Sequence, residues 1–154
     1  ARMPLPEHLA RHRVADLLID TLPCNAHTTA SDALWAGLPV LTCMGKSFAS
    51  RVAGSLLNAI ELPELITTTQ VEFEARAVEL ALNPNQLKTI RDKLDKNRLT
   101  TPLFDSQLFT RHLENAYTQM MQRYYAGLPP APIDVPSHLK KRTVLSQFRQ
   151  FFNF

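Results

Sequence analysis

Cysteine is scarce in this sequence, and long hydrophobic runs are missing. Cys24 and Cys43 are the only cysteines, and they have neither metal-ligand spacing nor a disulfide framework around them. No apolar run approaches the roughly 20 residues that a membrane-spanning helix needs, and the first residues contain no apolar signal core. We therefore expect reduced thiols, no membrane partner and a cytoplasmic location.

The sequence also lacks a large excess of charge of either sign. The 17 basic and 14 acidic residues leave a net charge of +3, which is too small to indicate a nucleic-acid partner. With 45% apolar and 20% charged residues over 154 positions, the composition predicts one soluble globular domain. The missing initiator methionine favours a piece of a longer protein.

The chain is centred on a predicted strand–loop–helix–strand unit. Its segments are an apolar strand at residues 14–19, a polar turn at 27–29, a helix at about 31–36 and a strand at 39–42. Such units form parallel sheets, and the N-terminus of a helix favours an anion because its backbone N–H groups are free. We therefore predict a phosphate-binding turn that contains His27, Thr28 and Thr29.

The same part of the chain has simpler interpretations that the sequence leaves open. Thr29 can be the N-cap of the helix, with Asp32 placed favourably beside the helix dipole. His27 can be an ordinary hydrogen-bonding loop residue, and His8 and Arg11 can form one exposed face of a short first helix. A capped helix terminus can also hold a phosphate, so the phosphate-binding hypothesis stands beside them.

Further helices are predicted along the rest of the chain. Residues 48–60 have helical periodicity, and residues 62–67 predict a connection or a third short strand. Thr69 and Glu72 match a capping box for a helix that ends near Leu82, and Asn83-Pro84-Asn85-Gln86 repeats the signal. A long helix is predicted from near Asp105, with an inner face of Phe109, Leu113, Ala116, Tyr117, Met120 and Tyr124.

The two or three predicted strands make a thin sheet for an α/β domain. This shortage predicts further strands upstream of the sequence.

Residues 129–154 differ in character from the rest of the chain. A Pro-rich linker comes first, and a basic, aromatic tail follows from residue 137, with apolar spacing typical of a short amphipathic helix. We therefore predict a division into residues 1–128 and residues 129–154.

Three other features have plain interpretations. Trp35 is expected to pack in the core, and Gly37 to end its helix. Residues 45–47, Gly-Lys-Ser, resemble the end of a phosphate loop, but the upstream glycines of that motif are absent. Cys24 and Cys43 lack a Cys–His–acid arrangement, so no thiol nucleophile is predicted.

One string in the central unit is specific enough to indicate a family. Residues 20–32 read Asp-Thr-Leu-Pro-Cys-Asn-Ala-His-Thr-Thr-Ala-Ser-Asp, and residues 34–42 read Leu-Trp-Ala-Gly-Leu-Pro-Val-Leu-Thr. They closely resemble the C-terminal catalytic region of the O-linked N-acetylglucosamine transferases and the SPINDLY-type glycosyltransferases. The similarity continues through residues 49–53, 102–105 and 117–120, and so spans roughly residues 1–128.

The resemblance implies a GT-B glycosyltransferase, in which two Rossmann-like domains face each other across a cleft. This chain would be an α/β, partial Rossmann-like domain with a short parallel sheet, flanking helices and a helical C-terminal part. Carried over by position, the donor-binding residues are His27, Thr28 and Thr29 for the diphosphate, Asp32 for the ribose, His8 against the nucleobase and Arg11 near the nucleotide. No catalytic residue is placed within the chain.

The implied reaction transfers N-acetylglucosamine from UDP-N-acetylglucosamine (UDP-GlcNAc) to Ser or Thr of a protein, with inversion. The ligand would be a UDP-sugar or UDP, without a metal or other cofactor, and the sequence has no Asp-x-Asp metal motif. The family's phosphate-binding lysine, its acceptor-side histidine and its tetratricopeptide repeats, through which the protein acceptor would bind, are expected upstream. The isolated chain is therefore expected to be inactive.

Two alternatives stay open at this point. Within the family, the chain can belong to an O-fucosyltransferase that uses GDP-fucose, and Leu5 stands where animal members have a lysine that contacts the ribose. In another class, the chain is a non-catalytic module that binds a nucleotide or a partner. A generic Rossmann-like reductase needs a Gly-x-Gly-x-x-Gly turn, which the sequence lacks.

Overall fold

The computed structural model describes residues 3–136, and the contacts within the chain divide it after Asp105. The first unit contains α1 (Leu5–Arg11), β1 (Leu18–Ile19), α2 (Thr28–Trp35), β2 (Val40–Cys43), α3 (Val52–Ala59), β3 (Ile66–Thr67), α4 (Gln70–Leu82) and α5 (Pro84–Asn97). Short 3-10 helices lie at His12–Val14, Phe48–Ser50, Pro63–Leu65 and Pro102–Phe104. The second unit contains α6 (Ser106–Tyr125).

The strand β2 is the centre of a parallel sheet with the order β1-β2-β3. Leu18 pairs with Val40 on one side of it, and Thr42 pairs with Ile66 on the other. Every residue of β2 is buried, as expected for a parallel strand that is covered on both faces. The predicted parallel unit and the third short strand are therefore confirmed.

Two predicted elements are shorter in the structure. The strand predicted at residues 14–19 is reduced to β1, because only Leu18 and Ile19 lie opposite β2, and Val14 ends a 3-10 helix with 89% of its surface exposed. The helix predicted at residues 48–60 is divided at Arg51, whose φ of −121° lies outside the helical range. Apolar periodicity therefore marked both regions but not the limits of their elements.

The core lies between the sheet and the helices packed on it. Leu34 of α2, Leu57 of α3, Leu80 of α4 and Leu94 of α5 are fully buried there. The prediction that Trp35 packs in this core is wrong, because 46% of its surface is exposed. Successive helical residues point about 100° apart, so a helix that buries Leu34 turns the next side chain away from the sheet.

The two predicted capping boxes have different outcomes. At α4 the box forms: the Thr69 hydroxyl accepts from the Glu72 N–H at 3.2 Å, and Glu72 Oε2 accepts from the Thr69 N–H at 3.2 Å. At α5, Asn83 is the N-cap residue but makes no side-chain cap bond. Its amide donates to the Glu79 carbonyl at 2.7 Å, and the Gln86 amide donates to Glu79 Oε1 at 3.1 Å. The second box fails because both side chains are bonded to the end of the preceding helix.

The helix α6 begins where the sequence predicts but does not bury the predicted face. Its predicted inner residues are exposed or half-buried instead, with Phe109 at 65%, Tyr117 at 55% and Tyr124 at 73% exposure. Periodicity identifies an apolar stripe, and it does not say what covers the stripe. No helix of the described residues is both long and apolar enough to span a membrane.

The first residues of the predicted linker lie against α6. Arg123 donates to the Pro129 carbonyl at 2.7 Å, and the Gln119 amide donates to the Asp134 carbonyl at 3.3 Å. The predicted tail helix lies outside the described residues. The division between residues 128 and 129 stays a prediction.

Candidate nucleotide-binding site

The predicted phosphate-binding turn forms the N-terminus of α2. The helix begins at Thr28, earlier than predicted, and its first backbone bond runs from the Ser31 N–H to the His27 carbonyl at 3.1 Å. Among residues 3–136, the N–H groups of Thr28, Thr29 and Ala30 have no acceptor, and neither threonine hydroxyl has a partner. These free donors, together with the helix dipole, suit an anion.

The interpretation of Thr29 as the N-cap is wrong. The N-cap residue is His27, whose side chain makes no cap bond, and Thr29 lies inside the first turn. The carboxylate of Asp32 makes no contact with the donors at the helix terminus, because it points towards α1 instead. The capping explanation for these side chains is therefore wrong, and the exposed hydroxyls of Thr28 and Thr29 have no partner in the part of the chain that the structure describes.

His27 borders the turn and anchors it to the loop before α3. Its Nε2 lies 3.3 Å from the Ala49 carbonyl, and its ring meets the Phe48 ring edge-on with centroids 6.1 Å apart. The side chain is exposed and its Nδ1 has no partner in the described part of the chain. The expected role as a loop hydrogen-bonder is confirmed, and one ring nitrogen is left for another group.

The structure brings together two residues predicted to bind the nucleoside. Asp32 Oδ2 of α2 lies 3.2 Å from His8 Nε2 of α1, with 28% and 25% of the two side chains exposed. His12 contacts the same part of α1, because its Nδ1 donates to the His8 carbonyl at 3.0 Å. The second carboxylate oxygen of Asp32 has no partner among the described residues.

Arg11 lies one turn after His8 on the same helix. Its guanidinium is exposed and forms no ion pair within residues 3–136. Leu5, the position that departs from the animal members of the family, is the first residue of α1 and is 64% exposed.

Two buried polar residues that the sequence analysis did not single out hold the loop between β1 and α2. Asp20 is 5% exposed and Asn25 is 4% exposed. Asp20 Oδ1 accepts from the N–H groups of Thr21 at 2.8 Å and Ala26 at 2.7 Å, and Asn25 donates to the Thr21 carbonyl at 3.0 Å. The position of Asp20 directly after a predicted strand was the available signal, since loops at the carboxyl ends of parallel strands form the sites of such sheets.

The Gly-Lys-Ser turn is a structural turn in this chain. The Gly45 N–H donates to the Ser50 carbonyl at 2.9 Å, and a Cβ on Gly45 would lie 2.5 Å from the Ser50 hydroxyl. The close approach explains the glycine without a phosphate. Among the described residues, no group of three or more His, Cys, Asp or Glu is arranged to hold a metal ion.

Comparison with known proteins gives these features a family. Residues 3–113 match the family described as Glycosyl transferase family 41. The chain belongs to glycosyl transferase family 41. It is 42% identical over 125 residues to the probable UDP-N-acetylglucosamine–peptide N-acetylglucosaminyltransferase SEC of Arabidopsis thaliana. It is 40% identical over 123 residues to the UDP-N-acetylglucosamine–peptide N-acetylglucosaminyltransferase of Caenorhabditis elegans.

A solved structure of the same family confirms the fold. The present chain resembles an O-GlcNAc transferase mutant of Thermobaculum terrenum with a TM-score of 0.72 and 36% identity. The match covers 77% of the present chain and 23% of the Thermobaculum chain. The predicted class, a partial Rossmann-like domain of a GT-B glycosyltransferase with a short parallel sheet and flanking helices, is therefore confirmed. The match covers 80% of this chain but only 13% of the Arabidopsis relative and 11% of the C. elegans relative.

Proposed function

We propose that this chain is the donor-binding part of a protein O-glycosyltransferase that transfers N-acetylglucosamine from UDP-GlcNAc to Ser or Thr, with inversion. The observation that carries the proposal is the set of hydrogen-bond donors at the N-terminus of α2 that have no acceptor among residues 3–136, in a chain of family 41. The names of both relatives describe them as UDP-N-acetylglucosamine–peptide N-acetylglucosaminyltransferases, which supports the choice of donor and acceptor.

The diphosphate would bind at the turn formed by His27, Thr28 and Thr29. The backbone N–H groups of the first helical turn and the hydroxyls of Thr28 and Thr29 would all donate to the phosphates. His27 adds a further donor when its Nδ1 carries a proton. During transfer the diphosphate is the leaving group and gains negative charge. Donors that are already in place at a helix terminus stabilise this charge without reorganisation.

The nucleoside would lie beside the contact between α1 and α2. The free oxygen of Asp32 can accept from the ribose hydroxyls while its other oxygen stays with His8. The imidazole of His8 then offers a flat surface to the base, and the exposed guanidinium of Arg11 adds positive charge near the nucleotide. The catalytic groups and the acceptor-binding tetratricopeptide repeats would lie upstream of this chain, and we place the protein in the cytoplasm.

The diphosphate assignment is tested by replacing Thr28 and Thr29 together with Ala in the full-length protein. We expect UDP binding to weaken by about 1–3 kcal/mol, because hydrogen bonds to a charged group are lost. Isothermal titration calorimetry with UDP measures this change. Thr89→Ala is the matched control, since Thr89 is an exposed helical threonine of α5 that bonds only to the Asn85 carbonyl. An unchanged UDP affinity in the double variant would overturn the assignment.

The choice of nucleotide is tested by thermal shift with UDP and GDP at equal concentrations. A ligand that binds only the folded state raises the melting temperature, and at equal concentration the tighter ligand gives the larger shift. We expect UDP to give the larger shift. A larger shift with GDP would contradict the uridine donor and favour GDP-fucose.

A further inference from the structure

Asp20 is a buried carboxylate at the point where β1 ends. Only 5% of its surface is exposed, and within residues 3–136 it forms no ion pair with a Lys, Arg or His. Its charge is satisfied by three short hydrogen bonds instead, from the N–H groups of Thr21 and Ala26 and from the Thr42 hydroxyl at 2.6 Å. A buried carboxylate without donors is strongly unfavourable, so these three contacts must be kept together.

We propose that Asp20 is a positioning residue for the diphosphate-binding turn, an inference that rests on the function proposed above. A single oxygen, Oδ1, joins both ends of the loop, because Thr21 directly follows Asp20 at its start and Ala26 is the residue before His27. The carboxylate thereby determines where the chain enters α2. The free N–H groups of the first turn of α2 follow directly from that point.

The other oxygen ties this loop to the rest of the sheet. The Thr42 hydroxyl of β2 donates to Asp20 Oδ2, and the Thr42 carbonyl accepts from the Thr67 hydroxyl of β3 at 3.0 Å. Both threonines are buried. One chain of hydrogen bonds therefore runs from the loop across the carboxyl ends of all three strands.

Asp20 acts through the loop and not on the nucleotide. Its donors already occupy both carboxylate oxygens, and a negative charge next to a diphosphate would repel it. Its contribution is therefore geometric: it holds the neutral N–H donors and the hydroxyls of Thr28 and Thr29 in one arrangement. Removing it should affect diphosphate binding only through those groups.

The test is a double-mutant cycle on UDP affinity in the full-length protein. Asp20→Ala should weaken UDP binding about tenfold or more, as expected for donors to a charged group that are no longer aligned. In the background of Thr28→Ala and Thr29→Ala it should weaken binding clearly less, because the two hydroxyls are gone and only the backbone N–H groups are left for it to align. Asp16→Ala is the control for a lost carboxylate, since Asp16 is exposed and pairs with Arg91; its UDP affinity should be unchanged.

Two more conservative variants keep the test decisive if Asp20→Ala does not fold. Asp20→Asn should restore most of the affinity, because its amide oxygen can keep the two backbone bonds while the Thr42 hydroxyl accepts from the amide N–H. Thr42→Val should weaken UDP binding about threefold to tenfold, again with a smaller effect in the Thr28/Thr29 background. Circular dichroism checks the fold of each variant.

The outcomes separate this inference from the function on which it rests. If the Thr28/Thr29 variant binds UDP normally, the proposed function fails, and the role of Asp20 fails with it. If that variant binds weakly but the Asp20 or Thr42 substitution adds its full effect to it, or has no effect on its own, only the positioning role is overturned.

Discussion

Asp32 and His8 share one contact, which uses only one oxygen of the Asp32 carboxylate. One oxygen lies 3.2 Å from the imidazole, and the other has no partner within residues 3–136. Both side chains are about a quarter exposed. A partly exposed pair of this kind contributes little to folding, so its geometry serves the proposed ribose and base contacts better than it serves stability.

At the residue scale, Asp32→Ala should therefore separate binding from stability. We expect UDP affinity to fall by about 1–3 kcal/mol, since the ribose hydroxyls lose a charged acceptor. The free energy of unfolding should fall by no more than about 1 kcal/mol, because contacts between partly exposed side chains contribute little to stability. Calorimetry and urea denaturation measure the two quantities. Asp92→Ala, which breaks an exposed pair with Lys88, is the control. A loss of stability with intact UDP binding would return Asp32 to a structural role.

At the scale of elements, the start of α4 is the most completely capped terminus of the first unit. Glu72 Oε2 accepts from the N–H groups of Thr68 at 3.0 Å and Thr69 at 3.2 Å, and from the Thr68 hydroxyl at 3.1 Å. These bonds, the Thr68 N–H first, lower the pKa of the Glu72 carboxyl below its usual value of 4.5. The cap therefore depends on an ionised Glu72.

The cap predicts a defined dependence of stability on pH. Because the folded pKa of Glu72 is lowered, its contribution is present above pH 4.5 and is lost as the pH falls through the folded pKa. Glu72→Gln should remove this part of the acid sensitivity in urea denaturation followed from neutral to acidic pH. Glu74→Gln, which changes an exposed carboxyl bonded to Gln70, should keep the wild-type profile. Identical profiles for Glu72→Gln and the wild type would contradict the cap.

The hydroxyl side of the same cap can be tested alone. Thr69→Ala should lower the free energy of unfolding by about 1 kcal/mol, the usual cost of a lost N-cap. Thr100→Ala is a matched control, since Thr100 is an exposed threonine whose hydroxyl bonds to the Lys96 carbonyl, four residues back at the end of α5. Equal effects of the two substitutions in urea denaturation would show that the capping contact is not special.

At the scale of the whole molecule, the chain is small beside its relatives. It spans 13% of the Arabidopsis protein, and its residues 3–136 contain one short parallel sheet of three strands. We expect the isolated 154-residue chain to bind UDP, seen as a raised melting temperature, but not to transfer N-acetylglucosamine to an acceptor peptide. Sugar transfer by the isolated chain would show that the groups completing the reaction lie within it.

Local signals in the sequence were sufficient for much of this description. The Thr69–Glu72 cap, the parallel strand–helix–strand unit and the turn at the start of α2 were all predicted, because each depends on residues close together in the chain. The family followed from an unusual contiguous string and is confirmed by the match over residues 3–113. The residue roles at the nucleotide stay predictions.

Contacts between distant residues decided the rest. Local spacing favoured Asp32 as a helix-terminal charge, and only the packing of α1 beside α2 turned it towards His8, 24 positions earlier. Trp35 is exposed because the sheet lies on the other side of α2, and Asp20 accepts from the Thr42 hydroxyl at 2.6 Å because β2 lies beside β1. The local conformation of a residue depends on its neighbours along the chain. Its burial and its hydrogen-bond partners depend on which surfaces the fold brings together.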